Sequence, residues 1–252
     1  MNDRASVLVI AGSDSSGGAG LSRDLRVLAD CDVAGVAVVT AVTAQTHAHV
    51  QSIHVVPPGL IREQIAAALE ANDIGAIKIG MLGTRASVEA VARSLPVNDA
   101  VPVVLDPVLA ASSGRALLDE AGRVAMRELL LANVTLITPN IPEAAALLGK
   151  PLVEDEHALI EYALRLREMG PQAVLIKGGH AARAECVDLL VCADGEVVRM
   201  VSQRIGSGMR GTGCALASAI AAGLARGLPL AYACRFAKNY LTSQLQERAN
   251  RV

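Results

Sequence analysis

Short runs of apolar, often β-branched residues recur along the chain and alternate with stretches of helical period. The runs SVLVIAG (6–12), VAVVTAV (36–42), GAIKIG (75–80), PVVLD (102–106), VTLIT (134–138) and AVLIK (173–177) are apolar almost throughout. That pattern predicts parallel strands covered on both faces, because a strand with one wet face alternates. Helices are predicted between them, near 20–30, 59–72, 85–94, 119–131, 142–148 and 156–168. Strand-helix repetition of this kind gives an α/β fold, a doubly wound sheet flanked by helices. The end of the chain differs. VDLLVCADGEVVRMV (187–201) predicts a hairpin turning at Asp194-Gly195, hence antiparallel strands at one sheet edge, and two helices follow near 212–226 and 229–247. No repeat, linker or break in composition divides the 252 residues, so one domain over 1–252 is expected.

Composition narrows the function classes. The formal net charge is -2, with Lys and Arg scattered, so no basic stripe marks a nucleic-acid surface. With no Trp, one Phe and three Tyr there is no aromatic platform for stacking bases. The longest apolar stretch, Cys214 to Ala225, is shorter than the roughly 20 residues that span a bilayer, so no membrane partner is expected. The N-terminal segment carries no basic region or apolar run of a secretory leader. Five cysteines stand at 31, 186, 192, 214 and 234, an odd number without C-x-x-C spacing. This points to a reducing, cytoplasmic setting, with Cys31, Cys186, Cys192 and Cys234 as small buried hydrophobes.

In open α/β sheets, ligands bind beyond the carboxyl ends of the strands, and the informative residues follow the strands directly. Gly12 to Gly20, GSDSSGGAG, comes after the first run. It is no P-loop, because no Gly-Lys-Ser/Thr closes it, but its glycines let a backbone approach a ligand. A plain turn capping the next helix accounts for the same letters. Gly211-Thr212-Gly213-Cys214 opens an apolar helix, where free amides and the macrodipole suit a phosphate. Tight packing at a strand-to-helix turn explains it as well. The spacing of Gly206, Gly208 and Gly211 matches G-x-G-x-x-G, yet no acid stands about 20 residues on, so a dinucleotide site is rejected.

Asp106 ends PVVLD, and Asn140 and Glu143 open a predicted helix in TPNIPE (138–143). An amide and a carboxylate there suit a hydrated magnesium ion, or simple helix capping. Lys177, in KGGH (177–180), can meet a phosphate as a point charge or be a solvated strand-end lysine. His47 and His49 find no third ligand for a metal.

Taken in order, AGSDSSGGAG (11–20), Asp24-Leu25, TAVTAQT (40–46), KIGMLG (78–83), VLDPV (104–108), LITPNIPEAAALLG (136–149), KGGH and GTGC (211–214) span nearly the whole chain. Together they resemble the hydroxymethylpyrimidine/phosphomethylpyrimidine kinases of the ribokinase-like family. The resemblance implies a three-layer α/β/α fold around a mostly parallel sheet. It implies ATP and Mg2+ as cofactors, a small pyrimidine as substrate, and a homodimer. The expected reaction is phosphorylation of 4-amino-5-hydroxymethyl-2-methylpyrimidine and then of its monophosphate.

Carried over, Gln45 reads the pyrimidine's amino and ring-nitrogen edge, and Gly12, Asp24, Met81 and Val108 line the substrate pocket. Asn140 and Thr212 meet nucleotide phosphates, Asp106 and Glu143 the metal. Lys177, Gly211, Gly213 and Cys214 are expected at the reacting centre, Cys214 as a thiol readily ionised by the helix start. Cys214 favours the pyrimidine branch over relatives with Asp there. Pyridoxal kinase, or a non-catalytic pyrimidine-binding relative, is the alternative. Arg210 stands where the family commonly has His, Ser22-Arg23 replaces its usual Gln-Ala, and the tail lacks the Gly/His-rich ending of many members.

Overall fold

The computed structural model describes residues 4–96, 101–178, 185–206 and 209–250. In chain order the strands are β1 (Ser6–Asp14), β2 (Ala34–Gln45), β3 (Val50–Val55), β4 (Ala76–Ile79), β5 (Val103–Leu105), β6 (Leu136–Ile137), β7 (Ala173–Ile176), β8 (Glu185–Val191) and β9 (Val197–Gln203). The helices are α1 (Gly20–Asp30), α2 (Pro58–Ala71), α3 (Arg85–Ala92), α4 (Glu120–Ala125), α5 (Ile141–Leu148), α6 (Glu156–Arg167), α7 (Thr212–Ala225) and α8 (Leu230–Ala249). One sheet holds all nine described strands in the order β3-β2-β1-β4-β5-β6-β7-β8-β9. The pairs from β2 through β7 are parallel, while β3, β8 and β9 add antiparallel margins.

The predicted parallel centre and the hairpin are both present. β3 is the addition. Its sequence, VQSIHV, mixes polar and apolar residues and is largely exposed, so it lacks the apolar signature of the central strands. It extends the sheet at the opposite edge from the hairpin, so antiparallel strands occur at both margins, not one. The predicted helix 119–131 is also composite: α4 continues as a π turn over Met126–Leu130 and a 3-10 turn over Leu131–Asn133.

Side chains of the central strands divide between two cores by strand alternation. Leu8, Ile10, Ile77, Ile79 and Leu105 face the layer of α2, α3, α5 and α6. Val7, Val9, Ala76 and Val104 face the layer of α1, α7 and α8. α7 is buried from Ala215 to Gly223, sandwiched between the sheet and α8, and its small residues permit that close approach.

One polar residue breaks the apolar pattern of β4. Lys78 is fully buried and points to the α1/α7 side, where its Nζ lies 2.8 Å from Asp24 Oδ2. Ser218 of α7 donates to Asp24 Oδ1 at 2.8 Å. Burial disfavours the ammonium, but Asp24 first, then Cys214 and Asp106, hold the Lys78 pKa above its usual value. Burial likewise lifts the Asp24 carboxyl, against the pull of Lys78.

Lys78→Met should leave Asp24 buried without a counter-charge and cost about 3–5 kcal/mol of stability, read as a lower urea midpoint. The isolated carboxyl then has a folded pKa above its unfolded value. The variant's deficit should therefore grow as pH rises from 5 to 8. A deficit that is absent, or larger at pH 5, would show that Lys78 does not neutralise Asp24.

Candidate active site

The parallel strands deliver the chemistry at their carboxyl ends. Asp106 follows β5, held by its amide on the Ile79 carbonyl at 2.9 Å. Lys177 follows β7 and pairs with Asn140 through a parallel bridge, its amide donating to the Pro139 carbonyl at 2.8 Å. This register brings Lys177 Nζ to 2.7 Å from Asp106 Oδ1 and 3.9 Å from Glu143 Oε2.

Asn140 and Glu143 form a complete capping box. Asn140 Oδ1 accepts from the Glu143 amide at 2.8 Å, and Glu143 Oε2 accepts from the Asn140 amide at 2.8 Å. The capping reading of this segment is thus correct, and the box also fixes the carboxylate beside Lys177. Two carboxylates therefore share one ammonium. Burial lifts the Glu143 carboxyl to about 7; Lys177 opposes the rise and Asp106 adds to it. A largely buried set with more carboxyl groups than ammonium suits a hard cation that takes carboxylate oxygens and keeps its waters.

α7 begins against this group. Gly211 is its N-cap, in the left-handed region with φ 71°, and no side chain covers the first-turn amides. A Cβ at Gly211 would run into the Gly18 carbonyl oxygen, so the turn and the glycine-rich loop touch backbone to backbone. A Cβ at Gly213 would lie 3.0 Å from Lys177 Nζ and 3.5 Å from Asp106 Oδ2. Free amides and a cation thus face one small space, an arrangement that can hold a phosphate.

A cavity of about 1090 Å³ opens over these residues. Its wall includes Gln45, Asp106, Val108, Asn140, Glu143, Lys177, Gly211, Thr212, Gly213 and Cys214, distant in sequence and gathered here. That volume exceeds the usual small-ligand pocket and can take a nucleotide beside a smaller acceptor.

Three expected pocket residues, Gly12, Asp24 and Met81, are buried and are not among the residues lining this cavity. Gly12 is buried, and a Cβ there would come 2.9 Å from Met81 Sδ. Met81 is itself buried, and both oxygens of Asp24 are committed to Lys78 and Ser218.

The expectation for Cys214 is also corrected in its chemistry. Burial pushes its thiol up to about 11; Lys78 opposes, while Asp24 and Asp106 push the same way as burial. Desolvation is the largest cause, and it acts against the ionisation expected at a helix start. Cys186 and Cys192 are half-buried rather than buried, and Cys186 lies on the cavity wall.

Sequence reasoning passed over Asp188 and Lys238, on the same wall, where Lys238 Nζ lies 2.7 Å from Asp188 Oδ2. Their only sequence signal is a charge in an apolar setting. His180 and Gly208 fall outside the described residues.

A doubly wound sheet whose strand ends and buried helix start converge on a phosphate-sized space defines a ribokinase-like small-molecule kinase. Comparison with known proteins agrees. The phosphomethylpyrimidine kinase family profile matches residues 14–251. A hydroxymethylpyrimidine/phosphomethylpyrimidine kinase of Rhizobium meliloti is 40% identical over 238 residues, covering 94% of this chain and 89% of that protein. A thiamine biosynthesis bifunctional protein of Geobacter sulfurreducens is 41% identical over 96% of this chain, which spans only 49% of it. Among solved structures, a pyridoxal kinase from Staphylococcus aureus in complex with ADP superposes with a TM-score of 0.87 at 29% identity, over 96% of this chain and 88% of that one. The chain belongs to the phosphomethylpyrimidine kinase family.

The position of Cys214 gives a direct test. Iodoacetamide should label it at pH 7.5 no faster than an unactivated thiol. The rate should then rise roughly tenfold per pH unit up to pH 9.5, since only the thiolate reacts. A plateau reached below pH 9 would mean that the helix start does ionise this thiol.

Proposed function

We propose that this chain transfers the γ-phosphoryl group of ATP to the hydroxymethyl group of 4-amino-5-hydroxymethyl-2-methylpyrimidine, and then to the monophosphate so formed. The family supports the reaction class and the pyrimidine acceptor. Among the geometric facts, Lys177 carries the reading: its ammonium lies between Asp106 and Glu143 and against the open start of α7. Phosphoryl transfer needs positioning and neutralised charge more than covalent help, and this spot offers both.

In this reading Gly211, Thr212 and Gly213 present amides to the transferring phosphate, and Lys177 neutralises it. Asn140 orders the nucleotide end. Asp106 and Glu143 hold a hydrated Mg2+, which supplies charge neutralisation at the phosphates. Cys214, a neutral thiol, shapes the floor beside the acceptor hydroxyl and does not take its proton. Gln45 and Val108 face the pyrimidine from the other side.

Among the described residues no helix is long and apolar enough to cross a membrane. We place the enzyme in the cytoplasm as a homodimer, with no nucleic-acid partner.

Pyridoxal is the second acceptor to consider, because the structural likeness to a pyridoxal kinase is high. An ADP-release assay over both alcohols, with product masses, decides between them. A higher kcat/KM for pyridoxal, or no ADP release with the pyrimidine, would overturn the proposal.

Two substitutions probe the parts. A side-chain amide offers one donor and one acceptor to an amino group beside a ring nitrogen. Gln45→Leu should therefore lower kcat/KM for the pyrimidine by about 1–3 kcal/mol. A loss under about twofold would take Gln45 out of contact, being far below the worth of one such hydrogen bond. Glu143→Gln should raise the magnesium concentration needed for half-maximal rate while calorimetry of the pyrimidine without nucleotide stays unchanged. Equal weakening of pyrimidine binding would remove Glu143 from the metal role.

A further inference from the structure

The guanidinium of Arg210 sits where three segments of the chain meet. Its Nη1 donates to Ser16 Oγ at 3.2 Å and to the Thr46 carbonyl at 2.9 Å, and its Nη2 lies 3.8 Å from Asp14 Oδ2. Asp14 gathers the glycine-rich loop in turn. Its Oδ1 accepts from the Ser16 amide and hydroxyl, both at 2.8 Å, and its Oδ2 from the Ala19 amide at 2.9 Å. Burial works against that carboxylate, yet Ser16, the Gln45 side chain and Arg210 hold its pKa below the usual value. Ser15 closes the group by donating to the Gln45 carbonyl at 3.0 Å and accepting from its amide at 2.9 Å.

The main chain of Arg210 is fixed from the opposite side. Arg23 of α1 donates through Nη2 to the Arg210 carbonyl at 3.3 Å. The next residue, Gly211, begins the amide turn of α7. Arg210 therefore reaches from the phosphate end of the cavity to the strand end that carries Gln45, and lies on the cavity wall with a side chain only 18% exposed. Its need is plain from the other side. Gln45 ends β2 opposite Val50 of β3, and Thr46 to His49 form the exposed turn between the two strands, closed by the Thr46 amide on the His49 carbonyl at 2.9 Å, so the turn is held by hydrogen bonds and not by packing. A planar fork can hold a hydroxyl, a carbonyl and a carboxylate at once, whereas an ammonium is a single point charge.

We propose that Arg210 is a positioning residue for the pyrimidine: it clamps the Gln45–Thr46 end of β2 to the glycine-rich loop and fixes that edge relative to the amide turn at Gly211 to Gly213. The proposal rests on the reading of Gln45 as the residue that meets the pyrimidine. Positioning matters at this scale because a misplacement of about 1 Å can cost on the order of a hundredfold in rate.

The test is steady-state kinetics with each substrate varied in turn, on Arg210→Met, Arg210→Lys, Gln45→Leu and the Arg210→Met/Gln45→Leu double variant, with thermal melts to confirm folding. Arg210→Met should raise KM for the pyrimidine about tenfold, the worth of one lost charged hydrogen bond, and leave KM for ATP within about twofold. Arg210→Lys should recover part of that loss. Gln45→Leu should cost less in the Arg210→Met background than alone, because an unclamped Gln45 already contributes less. An unchanged pyrimidine KM, an equal rise in both KM values, or strict additivity would overturn the clamp while Gln45→Leu remained damaging alone. An inert Gln45→Leu would instead overturn the reading of Gln45, and the clamp with it. If Arg210→Met does not fold, Arg210→Lys is read the same way, and a pyrimidine KM that does not rise selectively in it overturns the clamp.

Discussion

A lysine ammonium with no exposed surface must find its counter-charge inside the protein, and Lys78 finds it in Asp24. Because Asp24 belongs to α1 and also accepts from Ser218 of α7, the pair ties both helices to β4 at one point. The two helices begin at Gly20 and Thr212, directly after the glycine-rich loop and the amide turn. Those two loops are in backbone contact at Gly18 and Gly211. The geometry of the cavity floor thus follows from satisfying one buried charge. A good fit of charge to charge is needed here, since an unpaired ion in a layer of Ala, Val and Leu would be costly.

Charge also decides what the floor can do. Asp106 and Glu143 share Lys177, and Asp24 and Lys78 lie behind them. Burial first, and then the carboxylates of Asp24 and Asp106 against the pull of Lys78, raise the Cys214 pKa. The carboxylates of Asp106 and Glu143 are the oxygen donors that a hydrated divalent cation would take. A thiol of raised pKa, fixed amides and one lysine agree with a reaction driven by placement of charge rather than by a strong base.

The other half of the cavity is organised by hydrogen bonds from exposed or half-buried loops. There Asp14, Ser15, Ser16 and Arg210 hold the end of β2 in place. The two halves differ in kind: a buried, charge-compensated end around Lys177, and a more open, polar-bonded end around Gln45. They are joined through the short segment from Arg210 to Gly213.

The sequence by itself determined the parallel centre, the terminal hairpin and the set of loops that carry chemistry. Fully buried strands write continuous apolar runs, and ligand loops must follow them. It also determined the family, through motifs in a fixed order. β3 escaped because an exposed edge strand has no such run, and the break of the 119–131 helix because its turns share one hydrophobic period. Only the tertiary structure decided that Gly12, Asp24 and Met81 are buried while Gln45 and Val108 line the cavity. Lys78, a single charge in the apolar run GAIKIG, was visible as a letter, but its partner Asp24 stands 54 positions away. Only folding could bring Arg210 to Ser16 and Cys214 into the desolvated setting that raises its pKa. Burial and electrostatic fields are sums over neighbours distant in the chain, and local spacing does not encode them.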